Sequence, residues 1–153
     1  MDRNNSESLY SIFHHVARFH YYRMYSLFEE YNIYPGQHGV LLILGKQGGI
    51  RQKELAEKLH IKAATITVML NRMAKANLIE RRPDPDDQRV TQVYLTQQGQ
   101  KVLAKVKESL KVLETECLKD FTSEEQVLLQ QLITKMRDNL LEAICAHQSK
   151  KLV

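Results

Sequence analysis

Thr65, Thr67, Asn71, Arg72 and Lys75 place five side chains able to hydrogen-bond a base edge within eleven residues. An Asn such as Asn71 can read adenine, an Arg such as Arg72 can read guanine or hold a phosphate, and threonine hydroxyls can bond bases or phosphates. Ala63 and Val68 lie among them, and Val68 and the threonine methyls can touch thymine methyls. Upstream, Arg51, Gln52 and Lys53 read as the opening of a helix, where side chains and backbone N–H groups can hold a phosphate. Lys62 sits near a helix cap. A cation there opposes the helix dipole, which stability does not explain and a nearby phosphate would. Downstream, Arg82, Asp86, Asp87 and Arg89 stand in or beside a loop dense in turn residues.

Other chemistries are poorly served. Of six histidines, His14 and His15 are adjacent and face different directions, and no pair is spaced i, i+4, so no metal site is expected. Cys117 and Cys145 lie on consecutive antiparallel helices, with Cys145 ~34 Å beyond the connecting turn. A disulfide needs Cα atoms within about 7 Å, so the two read as buried helix thiols. There is no Gly-rich phosphate loop, nucleophile elbow or H-E-x-x-H, so neither an enzyme nor a cofactor is expected.

The elements that must position these residues follow from periodicity. Leu9, Ile12, Phe13, Val16, Phe19, Met24, Leu27, Phe28 and Tyr31 predict a first helix, capped by Ser6 or Ser8 and broken at Asn32. Pro35 suits the first turn of a short apolar helix reaching Lys46, stopped by Gly48-Gly49. Residues 51–60 and 63–76 predict two helices across a tight turn, the second with Ile66, Met69, Leu70 and Met73 inward and Asn77 as left-handed terminator. The period then changes to two: 78–82 and 90–95 predict a β-hairpin. Thr96 caps a long helix whose Leu103, Val106, Leu110, Leu113 and Cys117 form a coiled-coil-like stripe. Thr122-Ser-Glu-Glu125 matches a capping box and opens the last helix, with residues 148–153 expected to fray.

The charge is unevenly spread. Residues 46–107 hold thirteen Lys and Arg against six Asp and Glu, whereas both flanks lean acidic. A basic block confined to the middle of a 153-residue chain is the footprint of a polyanion partner. The last helix carries more apolar surface than one neighbour can cover, so a second copy of the chain is expected on it. No run approaches a membrane span and no signal-type segment follows the polar start, so a cytoplasmic protein is expected.

Asp87-Gln-Arg89, followed by Leu95-Thr96-x-x-Gly99, resembles the D-x-R…L-T-x-x-G signature of MarR-family transcriptional regulators. Pro35-x-Gln37-x-x-x-Leu41-x-x-Leu44 is similar to that family's second helix. Gln52-x-Glu54-Leu55-Ala56, Thr65-Ile66-Thr67 and Leu78-Ile79-Glu80-Arg81 are similar to its helix-turn-helix and first wing strand. The resemblance implies a mainly α fold with a small β-hairpin wing, an α+β class. A winged helix-turn-helix over 35–96 would be flanked by dimerisation helices over 1–34 and 97–153. It implies a homodimer on pseudo-palindromic double-stranded DNA, usually a repressor released by a small ligand. By analogy Asp87 orients Arg89 toward the minor groove, whose negative potential favours Arg. It also implies an effector cleft, for which Phe13, Ala17, His20, His38, Leu41 and Leu44 are candidates, His38 being a polar handle for an aromatic or anionic effector. Zinc-sensing relatives use a His pair on the fifth helix, and peroxide-sensing ones a cysteine on the first. This chain has neither, so a metal- or redox-responsive regulator is the weaker alternative. A helical dimeric adaptor without DNA binding would bury or scatter the basic block.

Overall fold

Ser8 starts the first helix, its hydroxyl accepting from the Ser11 N–H at 3.1 Å, and α1 runs Leu9–Phe28 before a 3-10 turn over Glu29–Tyr31. This computed structural model describes residues 7–150, with only the backbone of 148–150. Ser6, the alternative cap, and 151–153, within the end expected to fray, lie outside it. Asn32 closes the turn with φ 52°, as the break in periodicity predicted. Helix α2, Pro35–Lys46, has its proline in the first turn, and Gln37 folds back so that its Oε1 accepts from the Tyr34 N–H at 3.1 Å. That return bond accounts for the Pro-x-Gln spacing.

After the Gly48-Gly49 stop come β1, Ile50–Arg51, and α3, Gln52–Lys58. Arg51, expected to open a helix, is the N-cap of α3 and at the same time a strand residue, paired with Gln92 across an antiparallel ladder. A two-residue strand is too short to show a period, so only helix 52–58 left a pattern to read. Helix α4, Ala63–Lys75, ends before Asn77 at φ 55°, the expected left-handed residue. Strands β2, Ile79–Pro83, and β3, Thr91–Leu95, form the predicted hairpin in register Ile79 with Leu95 and Pro83 with Thr91. The sheet has three strands in the order β1-β3-β2, so Pro83 falls on an edge, where its missing N–H costs no ladder bond.

Helix α5, Gln97–Cys117, starts at Thr96, whose hydroxyl accepts from the Gly99 N–H at 2.9 Å and donates to the Asn77 carbonyl at 2.6 Å. The Thr96 N–H donates to the Leu78 carbonyl at 3.1 Å. A Cβ at position 99 would overlap that same Leu78 oxygen. Leu-Thr-x-x-Gly is thus the seam joining the end of α4, the sheet and α5. Helix α6, Ser123–Lys150, opens with the expected capping box: Glu125 Oε2 accepts from the Thr122 N–H at 2.8 Å, and Thr122 Oγ1 from the Glu125 N–H at 3.2 Å.

The chain divides into two compact units, one ending at Leu113 and one beginning at Glu114. The first contains a core in which Phe28, Leu41, Ile50, Leu55, Ile66, Leu70, Met73, Val93 and Val106 are fully enclosed. Each such side chain contributes about 1.5–3 kcal/mol relative to exposure. The mainly helical α+β class is as expected. Of the periodic apolar residues of α1, Met24 and Phe28 are buried in this core, while Leu9, Ile12, Phe13, Val16 and Phe19 are exposed. In the second unit Leu128, Leu132, Leu140 and Ile144 of α6 are all more than half exposed. Cys117 and Cys145, expected to be buried, are also exposed.

Candidate nucleic-acid interface

Helix α4 has an apolar inner face, Ile66, Leu70 and Met73, and an exposed outer face carrying Ala63, Thr65, Thr67, Val68, Asn71, Arg72 and Lys75. Those seven are the residues singled out from sequence, and the structure brings them to one surface. Lys62 is the N-cap of α4, in extended conformation and with no side-chain cap bond. Its ammonium therefore stands at the positive end of the helix dipole without stabilising it. A cavity of about 440 Å³ between the start of α2 and α4 is lined by Tyr34, Gln37, Thr65, Val68, Met69 and Arg72 among others. It leaves the outer face of α4 concave on that side.

Two polar groups of α4 are already engaged. Thr67 Oγ1 donates to the Ala63 carbonyl at 2.8 Å and accepts from Gln52 Nε2 at 2.7 Å. Gln52 and Thr67, each considered as a separate contact, thus form one link between α3 and α4. Asn71 Oδ1 accepts from Arg81 Nη2 at 2.9 Å, tying α4 to β2.

The hairpin is organised by a residue that the sequence reading passed over. Asp84 is 7% exposed. Its carboxylate accepts from the Asp86 N–H at 3.0 Å and from Gln92 Nε2 at 2.6 Å, and Arg51 Nη2 lies 3.5 Å away. The Asp86 N–H above all, with Gln92 and Arg51, holds the Asp84 carboxyl below the usual carboxylate range. Gln92 passes the network on, its Oε1 accepting from the Tyr94 hydroxyl at 2.6 Å. The Arg82 guanidinium lies 4.8 Å from the centre of the Tyr94 ring and pairs with Glu80. Arg51 and Arg82 are thus cations held over the sheet, and Arg82 belongs to β2 rather than to the tip of the loop. The Asp-Pro at 84–85 was the available signal, since Asp commonly bonds its own backbone two residues on.

At the tip, Asp87 Oδ1 accepts from the Arg89 N–H at 3.0 Å. The carboxylate fixes the backbone at Arg89. The described contacts of the pair are to that N–H and not to the guanidinium that the analogy had it grip. Asp86 and Arg89 are exposed.

The effector candidates separate. Leu41 and Leu44 are core side chains, Phe13, Ala17 and His20 are exposed on α1, and His38 is half-buried on α2. His38 Nδ1 bonds the Pro35 carbonyl, and its ring lies 5.5 Å from that of Phe28. A carbonyl only accepts, so Nδ1 carries the proton and neutral His38 presents Nε2 as an acceptor. Burial first, and the neighbouring His20 second, lower its pKa from the ordinary histidine value.

Comparison with known proteins agrees with this architecture. Residues 33–91 match the family model described as "MarR family". The chain is 36% identical over 100 residues to the transcriptional regulator HosA of Escherichia coli O111:H-, covering 65% of this chain and 74% of that protein. It is 30% identical over 108 residues to the HTH-type transcriptional repressor MdtR of Bacillus subtilis (strain 168), covering 71% and 70%. Among solved structures, the S. aureus MepR–DNA complex shares the fold with TM-score 0.79 at 22% identity, over 89% of this chain and 99% of that one.

Proposed function

This chain belongs to the MarR family of transcription regulators, and on that premise we propose that it is a homodimeric repressor of a pseudo-palindromic operator, released by a small effector. A regulator of this family binds DNA and is not an enzyme. The observation that carries the reading is the single exposed surface bearing Thr65, Val68, Arg72 and Lys75 of α4, capped by Lys62. The helix presents its base-reading side chains outward while its inner face is locked in the core. Arg89 at the wing tip and Arg51 and Arg82 over the sheet extend the positive surface for phosphate and minor-groove contact.

Dimerisation is supported by the apolar side chains exposed separately on α1 and α6. Contiguous apolar surface of this kind marks an interface. Repression is supported by analogy with MdtR, which is named a repressor. Effector release is supported by His38, a half-buried acceptor beside Phe28. That arrangement suits an aromatic compound with a hydroxyl donor better than a bare anion, because Nε2 has no proton to offer at neutral pH. The test is a gel shift with random duplex DNA at low salt, repeated with hydroxylated aromatic compounds. Retarded DNA that such a compound releases is expected. Failure to retard any DNA overturns the reading, and an adaptor of the same shape then takes its place.

A further inference from the structure

Asn71 is exposed on the outer face of α4, where an asparagine amide is ordinarily suited to adenine. That match needs both ends of the amide, the oxygen toward the adenine N6 amino group and the nitrogen toward N7. Here the oxygen is already turned to a neighbour in the protein, accepting from Arg81 Nη2 at 2.9 Å in an exposed bond. A guanidinium has five donors and no acceptor, so the amide cannot turn over without setting donor against donor. Arg81 comes from β2, whose register against β3 places it opposite Val93, and Val93 is in the core. The arginine backbone is therefore fixed by the sheet rather than by α4. One turn earlier on the helix, Thr67 is held between the Ala63 carbonyl and Gln52 Nε2. This part of the reading face is thus set in advance by α3 on one side and by the wing strand on the other.

We propose that Arg81 is a positioning residue that makes Asn71 a donor-only reader, so that the base beneath Asn71 is guanine rather than adenine. One lone pair of the oxygen is taken by Arg81 and the guanidinium stands beside the other, so the amide offers to a base chiefly the two protons of Nδ2. Guanine presents two adjacent acceptors, N7 and O6, in the major groove, whereas adenine presents N7 beside an amino group that would oppose Nδ2. The positive charge of Arg81 beside the amide acts in the same direction, favouring the electronegative edge. The wing strand thereby influences base choice in the major groove without touching a base.

The inference rests on the DNA-binding reading, and one experiment separates the two. Binding sites are selected from a random duplex pool by the full-length protein and by Asn71→Ala, Arg81→Met and Arg81→Lys, each first checked for the wild-type circular dichroism spectrum. The position whose preference Asn71→Ala erases is the one read by Asn71. At that position the wild type is expected to favour guanine over adenine by about fivefold or more, the lower end of what one good side-chain contact discriminates. Arg81→Met frees the amide and is expected to move the preference to adenine at that position alone, while Arg81→Lys, still a pure donor, keeps guanine. Adenine in the wild type, guanine surviving Arg81→Met, or no position erased by Asn71→Ala each overturns the proposal. If the wild type selects no sequence at all, the DNA-binding reading fails, and this proposal with it.

Discussion

On the proposed reading Arg72 and Arg89 carry the same charge to different grooves, and their substitutions should part accordingly. Arg89→Ala, at the wing tip, should weaken binding to a palindromic and a scrambled site alike. Arg72→Ala, on α4, should change preference at one position by roughly 1–3 kcal/mol if it contacts a base. Asp87→Ala should act as a milder Arg89→Ala, because the carboxylate holds the Arg89 N–H at 3.0 Å and its loss loosens the backbone without removing the cation. Titration of the three variants against both sites measures this ordering, and tighter binding by Asp87→Ala would show that the acid merely repels DNA. His38 gives a pH prediction. Its pKa is lowered by burial and by His20, so below the ordinary histidine value of about 6.5 the unfolded chain takes up the proton more readily. Stability should therefore fall as pH drops through that range, and His38→Phe should flatten the dependence in urea titrations at pH 7.5 and 5.5. The charges of these groups could be read from sequence, but their commitments could not. Thr67, Asn71 and Asp84 look like free polar side chains until Gln52, Arg81 and Gln92 arrive from other elements.

The long helices and the hairpin announced themselves through period, caps and turn residues, each a local property of the chain. Strand β1 did not, because two residues carry no alternation and its pairing partners, Val93 and Gln92, lie far along the chain on β3. Apolar periodicity also marks a face without saying what covers it, and most of the α1 stripe is exposed. The Leu-Thr-x-x-Gly seam gives the sharpest test at this scale. Gly99→Ala pushes a methyl into the Leu78 carbonyl, a backbone atom that cannot swing aside. It should cost at least about 2 kcal/mol in urea unfolding, and a cost near zero would mean that the junction of α5 with the sheet is loose. Tyr94→Leu should leave stability within about 1 kcal/mol yet weaken DNA binding, because it removes the ring under Arg82 and the hydroxyl bonded to Gln92.

At the scale of the whole molecule, charge and apolar surface are divided between different parts of the chain. The basic block lies in residues 46–107, and the exposed apolar side chains concentrate on α1 and α6. A chain so divided should pair through its terminal helices and leave its positive surface to DNA. Light scattering at micromolar concentration should then give twice the 17.8 kDa of one chain. The basic block and the uncovered apolar side chains of the last helix were legible in composition and pattern. The concave face beside α4 was not, since it depends on how α2 and α4 meet. The account turns on that positive surface neutralising phosphates, and the most direct measurement is the affinity of the full-length protein for its selected duplex as salt is raised. With six to ten phosphates neutralised per dimer, affinity should fall by about 10³–10⁵ between 50 and 200 mM salt. An affinity that stays flat over that range would contradict the account.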